Sequence, residues 1–478
     1  MKILSLLFIS FLLFQLTIFS QAPDTMWTKT FGLISSDVGT SVIETTNGNF
    51  VVTGLANTTD LGLLKTDANG NLLWLKTFGG AYIDVGYSVI QTQDGGYIIT
   101  GATQSFGAGD FDAWLIKVDS SGNQQWSHTY GGSDSDLGLS VKQTADGGYI
   151  IAGYTKSYGA GMYDVWLVRV DSNGNPGWAK TFGATGDDYG YSVELTSDDG
   201  FVVVGYQNSF TAGGYDIGFL KADQNGNLVW LKYFGGPQDD KGYSVKKTAD
   251  GGFAITGSTE SFGVGGSDVW LIKTDSNGNE QWSKTYGGVQ NDVGRSLEET
   301  SDGSFVITGI TNSLGAGADD VGFLKTDPSG NLQWMTTFGG TLDDNGYSIQ
   351  QTADGGYIIV GGTYSYGAGL QDVWLIKTEP DASPVEEQII ITDYNLYQNY
   401  PNPFNPSTKI KYSVPQTSQV QIEVFDVLGK EIETLLNEEK PAGTYELTWN
   451  AGTLPSGVYF YQLKAGSFVE TKKMILLK

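Results

Sequence analysis

The sequence predicts an all-β protein: a seven-bladed β-propeller whose N-terminal strand closes the last blade, followed by a small β-sandwich. Three observations carry this reading. Trp74, Trp126, Trp178, Trp230, Trp282 and Trp334 recur every 52 residues, and Trp27 stands 47 before Trp74 because the first repeat lacks the Ser-Phe-Gly-Ala-Gly insert of later ones. A period of this length marks an array or a closed ring of units, none of which can bury a core alone. Within each unit, four short β-branched and aromatic runs are bounded by Gly, Asp or Asn, the signs of strands. Finally, the strand count at the two ends of the array is complementary.

The four runs read as GYSV (A), YIITG (B), VWLIK (C) and WxKTFGG (D). The A–B link within residues 87–101 and the C–D link within 269–282 are tight hairpins, the second with Gly278 placed to supply a positive φ. Tightly joined strands pair within one blade, so the longer loop ending in DxG crosses to the next. This phasing leaves Trp27–Gly32 as a D strand without a blade, while the last blade, Tyr347 to Thr378, has no D strand of its own. The N-terminal strand is expected to fill that gap, and closure removes the open edges of a linear array. An open β-solenoid is the competing architecture. The regularly placed tryptophans are expected to pack between blades, each burial contributing about 2–3 kcal/mol, with carbohydrate stacking the alternative role for any exposed ring.

The strings FGGxxxDxGYSV, DGGYIITGxTxSFGAG and DVWLIKTDxxGN resemble bacterial β-propeller repeats that carry a GGxxxDxG element followed by a YVTG-like strand. The resemblance covers all seven units. It implies the fold, and it implies no activity, because members of that family share none.

Composition excludes several function classes. The chain has no cysteine, so it has no disulfide framework, thiolate metal site or thiol nucleophile. Its one histidine, His128, replaces the Lys or Thr of other repeats and reads as a surface strand position. Met1 and Lys2 precede an apolar run, Ile3 to Phe19, with small residues at Ser20 and Ala22. Residues 1–20 therefore read as a secretory signal peptide rather than a membrane anchor, and no other segment is apolar enough to span a bilayer. The formal charge is −26; residues 394–478 sum to zero and Lys2 adds one positive charge, so residues 21–393 carry −27. Such a surface repels nucleic acid and anionic lipid, which excludes nucleic acid as a partner.

Two rings of aspartate repeat with the units. Asp37, Asp84, Asp136, Asp188, Asp240, Asp292 and Asp344 end the crossover loops, and Asp60, Asp112, Asp164, Asp216, Asp268, Asp320 and Asp372 precede the C strands. Strand alternation puts both sets on one face, near the channel mouth where propellers bind ligands. As structural residues they would accept bonds from loop amides. As functional residues the first set would form a ligand face, and the second would suit a hard, oxygen-seeking cation such as Ca²⁺. No cofactor is required by the sequence. Arg295 stands where A strands usually carry Tyr and is placed either to receive an anionic group near the channel or to pair with a rim aspartate. Paired carboxylates could also cleave a glycoside at separations of about 5–10 Å, but fourteen equivalent residues single out no pair.

After Lys377 the composition changes. Residues 381–393 read as a linker after a propeller spanning 21–380. Residues 394–478 then alternate strands and turns through YQNYPNPFNPSTKIKYSVP, QVQIEVFDVLGKEIETL, GTYELTWNAG and SGVYFYQLKAG, a sandwich of about 85 residues. These strings closely resemble the type A C-terminal sorting domain of the type IX secretion system, an Ig-like sandwich also likened to a flagellar hook-cap domain. Matching positions include Pro401, Asn402, Pro403, Phe404, Asp426, Gly429, Gly443, Trp449, Gly457, Tyr459, Lys472, Lys473 and Lys478. The resemblance implies the type IX machinery as a partner, passage through the periplasm and outer membrane of a Gram-negative bacterium, and release or surface attachment. An ordinary Ig-like adhesive module is the alternative. The whole sequence therefore reads as a secreted or cell-surface binding or adhesion module for an extracellular glycan or protein. The alternative is an extracellular polysaccharide-active enzyme using acidic residues of the loop-rich face.

Overall fold

A computed structural model describes residues 21–32, 34–209, 213–381 and 393–478. The apolar leader and most of the linker lie outside the described residues. The chain divides into two compact units, Met1–Ala382 and Ser383–Lys478. Every regular element among the described residues is a β-strand, and none is a helix long and apolar enough to cross a membrane.

The first unit is seven four-stranded antiparallel sheets. In blade one, strands A to D are Val38–Glu44, Phe50–Ala56, Asp60–Thr66 and Leu72–Phe78, hydrogen-bonded in that order. In blade five, Gly278 occupies the C–D turn between Asp268–Thr274 and Glu280–Tyr286 at φ +73°, as the hairpin requires. In blade seven, Asp344–Gln351, Tyr357–Thr363 and Asp372–Thr378 are joined by the N-terminal strand Thr25–Phe31, which pairs antiparallel with the C strand. The expected seam is present, and blade seven is completed from the other end of the chain. Bonds from blade seven to blade one, including Val42 N to Ser348 Oγ (3.3 Å) and Glu44 N to Gln350 Oε1 (2.7 Å), close the ring.

Two repeated features join neighbouring blades. The amide of each crossover aspartate donates to the carbonyl of the residue before the preceding blade's C strand; Asp84 to Thr59 and Asp37 to Gln371 both measure 2.7 Å. Six of the seven D-strand tryptophans pack on the aromatic that begins the next blade's B strand, as Trp27 does on Phe50 at 5.9 Å and Trp178 on Phe201 at 6.0 Å, while Trp230 meets Phe219 at 5.0 Å. The C-strand rings Trp114, Trp166, Trp270 and Trp374 are buried. The tryptophans are thus inter-blade packing.

The A strands neighbour one another around the ring and form its inner wall. Each carries a register shift between its Gly and its Ser. The residue between them is left out of the ladder, and a bulge of this kind re-aims a side chain. The seven bulged residues are Thr40, Tyr87, Leu139, Tyr191, Tyr243, Arg295 and Tyr347.

The second unit is a two-sheet sandwich. One sheet orders Asn395–Leu396, Ser407–Val414 and Gly443–Asn450; the other orders Glu431–Lys440, Ser418–Phe425, Gly457–Ala465 and Phe468–Leu476. Its core holds Phe404, Tyr412, Trp449 and Tyr461.

Candidate ligand-binding face

Both aspartate rings sit in the loops that join D to A and B to C, and all of them except Asp60 and Asp216 are buried. Their oxygens point into their own loops. Asp136 accepts from Thr155 Oγ1, from Ser157 Oγ at 2.6 Å and from Gly132 N at 2.7 Å. Asp84, Asp292 and Asp344 each accept from the matching threonine and glycine, and Asp84 and Asp292 from the matching serine as well. Asp240 bonds Ser261 and Gly236, and Asp188 bonds Ser209 and Ala184. Among the described residues, one oxygen each of Asp188, Asp216 and Asp240 has no hydrogen-bond partner. Asp37 accepts from Asn57 N at 2.8 Å. In the C-strand set, Asp112 accepts from Ala108 and Gly109 amides, and Asp164, Asp268, Asp320 and Asp372 do the same in their loops. Asp60 lies in the short loop of blade one, beside Thr59.

The two rings meet in pairs, one carboxylate from each, across the glycine that ends a D strand. A side chain at Gly131 would collide with Asp112 Oδ1 and come within 2.8 Å of Asp136 Oδ2. Burial, and then the charge of the paired aspartate, raises Asp112, Asp164, Asp268 and Asp372 above the ordinary carboxylate range. Asp216 is pushed up to about 6 by burial and then by Asp240. Among the described residues, no three acidic or histidine side chains converge as a metal centre.

Around the same loops lies a group that the repeat does not explain. Tyr154 meets Tyr163 edge-on at 5.4 Å and Tyr189 at 4.9 Å. Tyr189 lies 4.9 Å from Tyr206, which stacks on Tyr191 at 5.2 Å and shares a 3.0 Å hydroxyl–hydroxyl bond with it. Tyr191 meets Tyr243 edge-on at 5.2 Å, and the Arg295 guanidinium lies 4.2 Å above the Tyr243 ring. Lys241 completes the group, 5.4 Å over Tyr215 and 5.8 Å over Tyr206, with Asp239 as its ion partner at 2.9 Å. This continuous arc runs from blade three to blade six, and all its tyrosines are half-buried. Burial, and then neighbouring phenols, raise the Tyr154 and Tyr206 hydroxyls, so the rings are neutral donors and acceptors.

Sequence reasoning finds Arg295 and misses the tyrosines. The signal is their departure from the repeat. After the B-strand glycine, the seven repeats carry Leu55, Ala102, Tyr154, Tyr206, Ser258, Ile310 and Gly362; before the C-strand aspartate only Phe111, Tyr163 and Tyr215 are aromatic. Arg295 makes no ion pair with a rim aspartate among the described residues. His128 lies at the surface, 3.1 Å from the Asn173 carbonyl and beside Trp126. A cavity of about 530 Å³ lies at the hairpin ends of blades three and four, lined by Trp178, Arg169 and Gly177. Gly177 stands where other repeats carry Leu73, Gln125, Val229, Gln281 or Gln333, which leaves that lining without a side chain. The tyrosine arc is separate from it.

In the sandwich, the motif residues lock a proline-rich segment onto the last strand. Pro401 and Pro403 both follow cis peptide bonds. Asn402 accepts from Ile475 N at 2.9 Å, and Phe404 bonds the backbone of Ile475 and Leu477. Phe404 packs on Trp449 at 5.7 Å, Trp449 meets Tyr459 at 6.1 Å, and Trp449 Nε1 donates to Glu433 at 2.9 Å. Gly429 takes φ +78° in the Asp426–Lys430 turn, Gly443 and Gly457 begin strands, and Lys473 is exposed.

Residues 398–477 match the family described as the Secretion system C-terminal sorting domain. The chain is thus a propeller with a type IX sorting domain. That domain directs export by this system to the cell surface or the medium. A regulatory protein, FlaEY of Caulobacter vibrioides, is 28% identical over 178 residues, covering 34% of this chain; the chain spans 18% of the length of that curated relative. Among solved structures, PorZ, an essential bacterial surface component of the type IX secretion system of Porphyromonas gingivalis, is 11% identical with a TM-score of 0.43, covering 91% of this chain and 58% of that one. The Pan2 WD40 domain of Neurospora crassa is 8% identical with a TM-score of 0.45, covering 72% and 90%. The propeller assignment stands on the strand pairing and the closed seam.

Proposed function

We propose that the exported propeller is a binding module whose ligand is an extracellular glycan, engaged at the mouth of the inner-strand ring by the tyrosine arc. One observation carries this reading: the arc is where sevenfold repetition breaks, and it breaks towards half-exposed tyrosine. A tyrosine offers a rigid apolar face and a polar hydroxyl, which suits a sugar ring with one apolar and several hydroxylated faces. The aspartates serve this face indirectly by holding its loops, so the reading needs no cofactor. A hydrolytic role would need two carboxylates turned to the ligand, and most of the rim carboxylates bond their own loops instead.

The test is a glycan array probed with the full secreted chain and with Tyr189→Ala. Binding to a restricted glycan set is expected, lost in the variant while its melting temperature stays within a few degrees. An array without binding, or a variant that binds equally, overturns the reading.

A further inference from the structure

Arg295 is the one cation among the seven bulged residues of the inner wall. Its situation differs from that of three other inner-strand cations, Lys142, Lys246 and Lys241. Lys142 reaches Glu194 at 2.7 Å, Lys246 reaches Glu298 at 2.6 Å, and Lys241 reaches Asp239 at 2.9 Å. Among the described residues the Arg295 side chain has neither an ion pair nor a hydrogen bond, and its Nε is buried without a partner. This occurs in a segment carrying −27, where carboxylates are plentiful and this guanidinium has been left unmatched. Its Cζ lies 4.2 Å from the centre of the Tyr243 ring, and no acidic group claims its donors. Its neighbours, Tyr191 and Tyr347, feel its charge and present hydroxyls rather than acids.

We propose that Arg295 is the specificity-determining residue of the arc and receives the carboxylate of an acidic sugar, a uronate whose neutral neighbours lie on the tyrosines. This rests on the glycan reading above. A guanidinium edge matches a carboxylate with two parallel bonds, and an oriented one binds it with less loss of side-chain freedom. The negative field of the whole propeller adds a restriction. It repels a densely charged polyanion at long range, so the fitting ligand carries isolated uronates on a largely neutral chain.

The experiment uses the full secreted chain and pairs of oligosaccharides, each a uronate-bearing member and its carboxyl-reduced twin, with binding measured by calorimetry. Wild type is expected to prefer acidic members roughly 10- to 100-fold. Arg295→Gln should abolish that preference, bringing each acidic member and its reduced twin to equal affinity, and Arg295→Lys should restore part of it. No preference in any pair, or a preference that survives in Arg295→Gln, overturns the inference. If Tyr189→Ala loses all binding while Arg295→Gln changes nothing, the glycan reading stands and only the anion site falls. If neither variant alters binding, both fall.

Discussion

At the hairpin ends of the strands, blades two to seven repeat one device. Lys117, Arg169, Lys221, Lys273, Lys325 and Lys377 each reach the aspartate of their own A–B hairpin: Asp94, Asp146, Asp198, Asp250, Asp302 and Asp354. Blade one has Asn47 in that place, and Lys65 turns to the Tyr97 hydroxyl of the next blade at 3.0 Å. At the opposite ends, the aspartate pairs repeat as faithfully, but the residues around them do not: blades three to six carry the tyrosine arc, while blade one offers Thr40 and Leu55 in matching positions. A feature present in every unit serves the unit, whereas a feature confined to adjacent units has been selected for something the unit does not need. Substitutions in the first class should lower stability and spare binding; those in the arc should do the reverse.

The largest effect belongs to the repeated packing. Trp334 is buried to 4% exposure against Phe323 at 4.6 Å and the next blade's Tyr357 at 6.5 Å. Trp334→Ala should cost about 3–5 kcal/mol in urea unfolding, with glycan binding by the remaining folded protein unchanged. A stable variant that fails to bind would dissolve the distinction between the two ends.

The hairpin pairs come next. Lys273 is nearly buried, with side-chain exposure of 7%, and bonds Asp250 at 2.8 Å. Burial works against the Asp250 carboxylate, but the bonds from Lys273 and Thr248 outweigh it and hold its pKa down at about 2. Asp250→Asn leaves a buried ammonium without its counter-charge and should cost about 1–3 kcal/mol. Because the folded-state pKa is depressed, this contribution is complete above the unfolded carboxylate range and disappears as pH falls through about 2. The gap between wild type and variant should therefore be constant from neutral pH to about pH 5 and close in strong acid. A gap unaffected by acid would mean that the charge of Asp250 contributes nothing.

These contrasts also explain what the sequence makes legible. The 52-residue tryptophan period and the phasing of strands into blades are readable because the unit repeats, and the seam at Trp27 follows from counting strands at the two ends of the array. The aspartate rings are equally readable as a pattern, yet the direction of a carboxylate depends on which hydroxyls the loops bring near it. Thr155 and Ser157 claim Asp136 only after strands A and B pair. The Lys–Asp pairs hide behind turn chemistry, since the hairpin DGG already accounts for its aspartate as a turn residue. The arc is hardest to see. Tyr191 and Tyr243 fit the GYSV consensus, while Tyr154, Tyr189 and Tyr215 occupy three different positions of the repeat, so no single alignment column shows a cluster.

The smallest prediction concerns the mouth end, where Asp216 adjoins the arc through Tyr215. Burial, and then Asp240, raise its pKa to about 6, and one of its oxygens has no partner among the described residues. A raised carboxyl binds a proton in the folded state that the unfolded chain has already released. Folding is then favoured at low pH, and stability is lost as pH rises from about 4 through about 6. This sign is opposite to that of Asp250, so the two ends should be separable by titration. Asp216→Asn removes the ionisation while keeping the shape, and it should gain stability relative to wild type across that interval, with the two equal below it. The charge it relieves is the same like-charge pairing that every blade carries, but only here does the shift reach so far towards neutral pH. A flat difference between the two proteins would mean that ionising Asp216 beside Asp240 costs the fold nothing, leaving the tyrosines and Arg295 as what sets this side of the mouth apart.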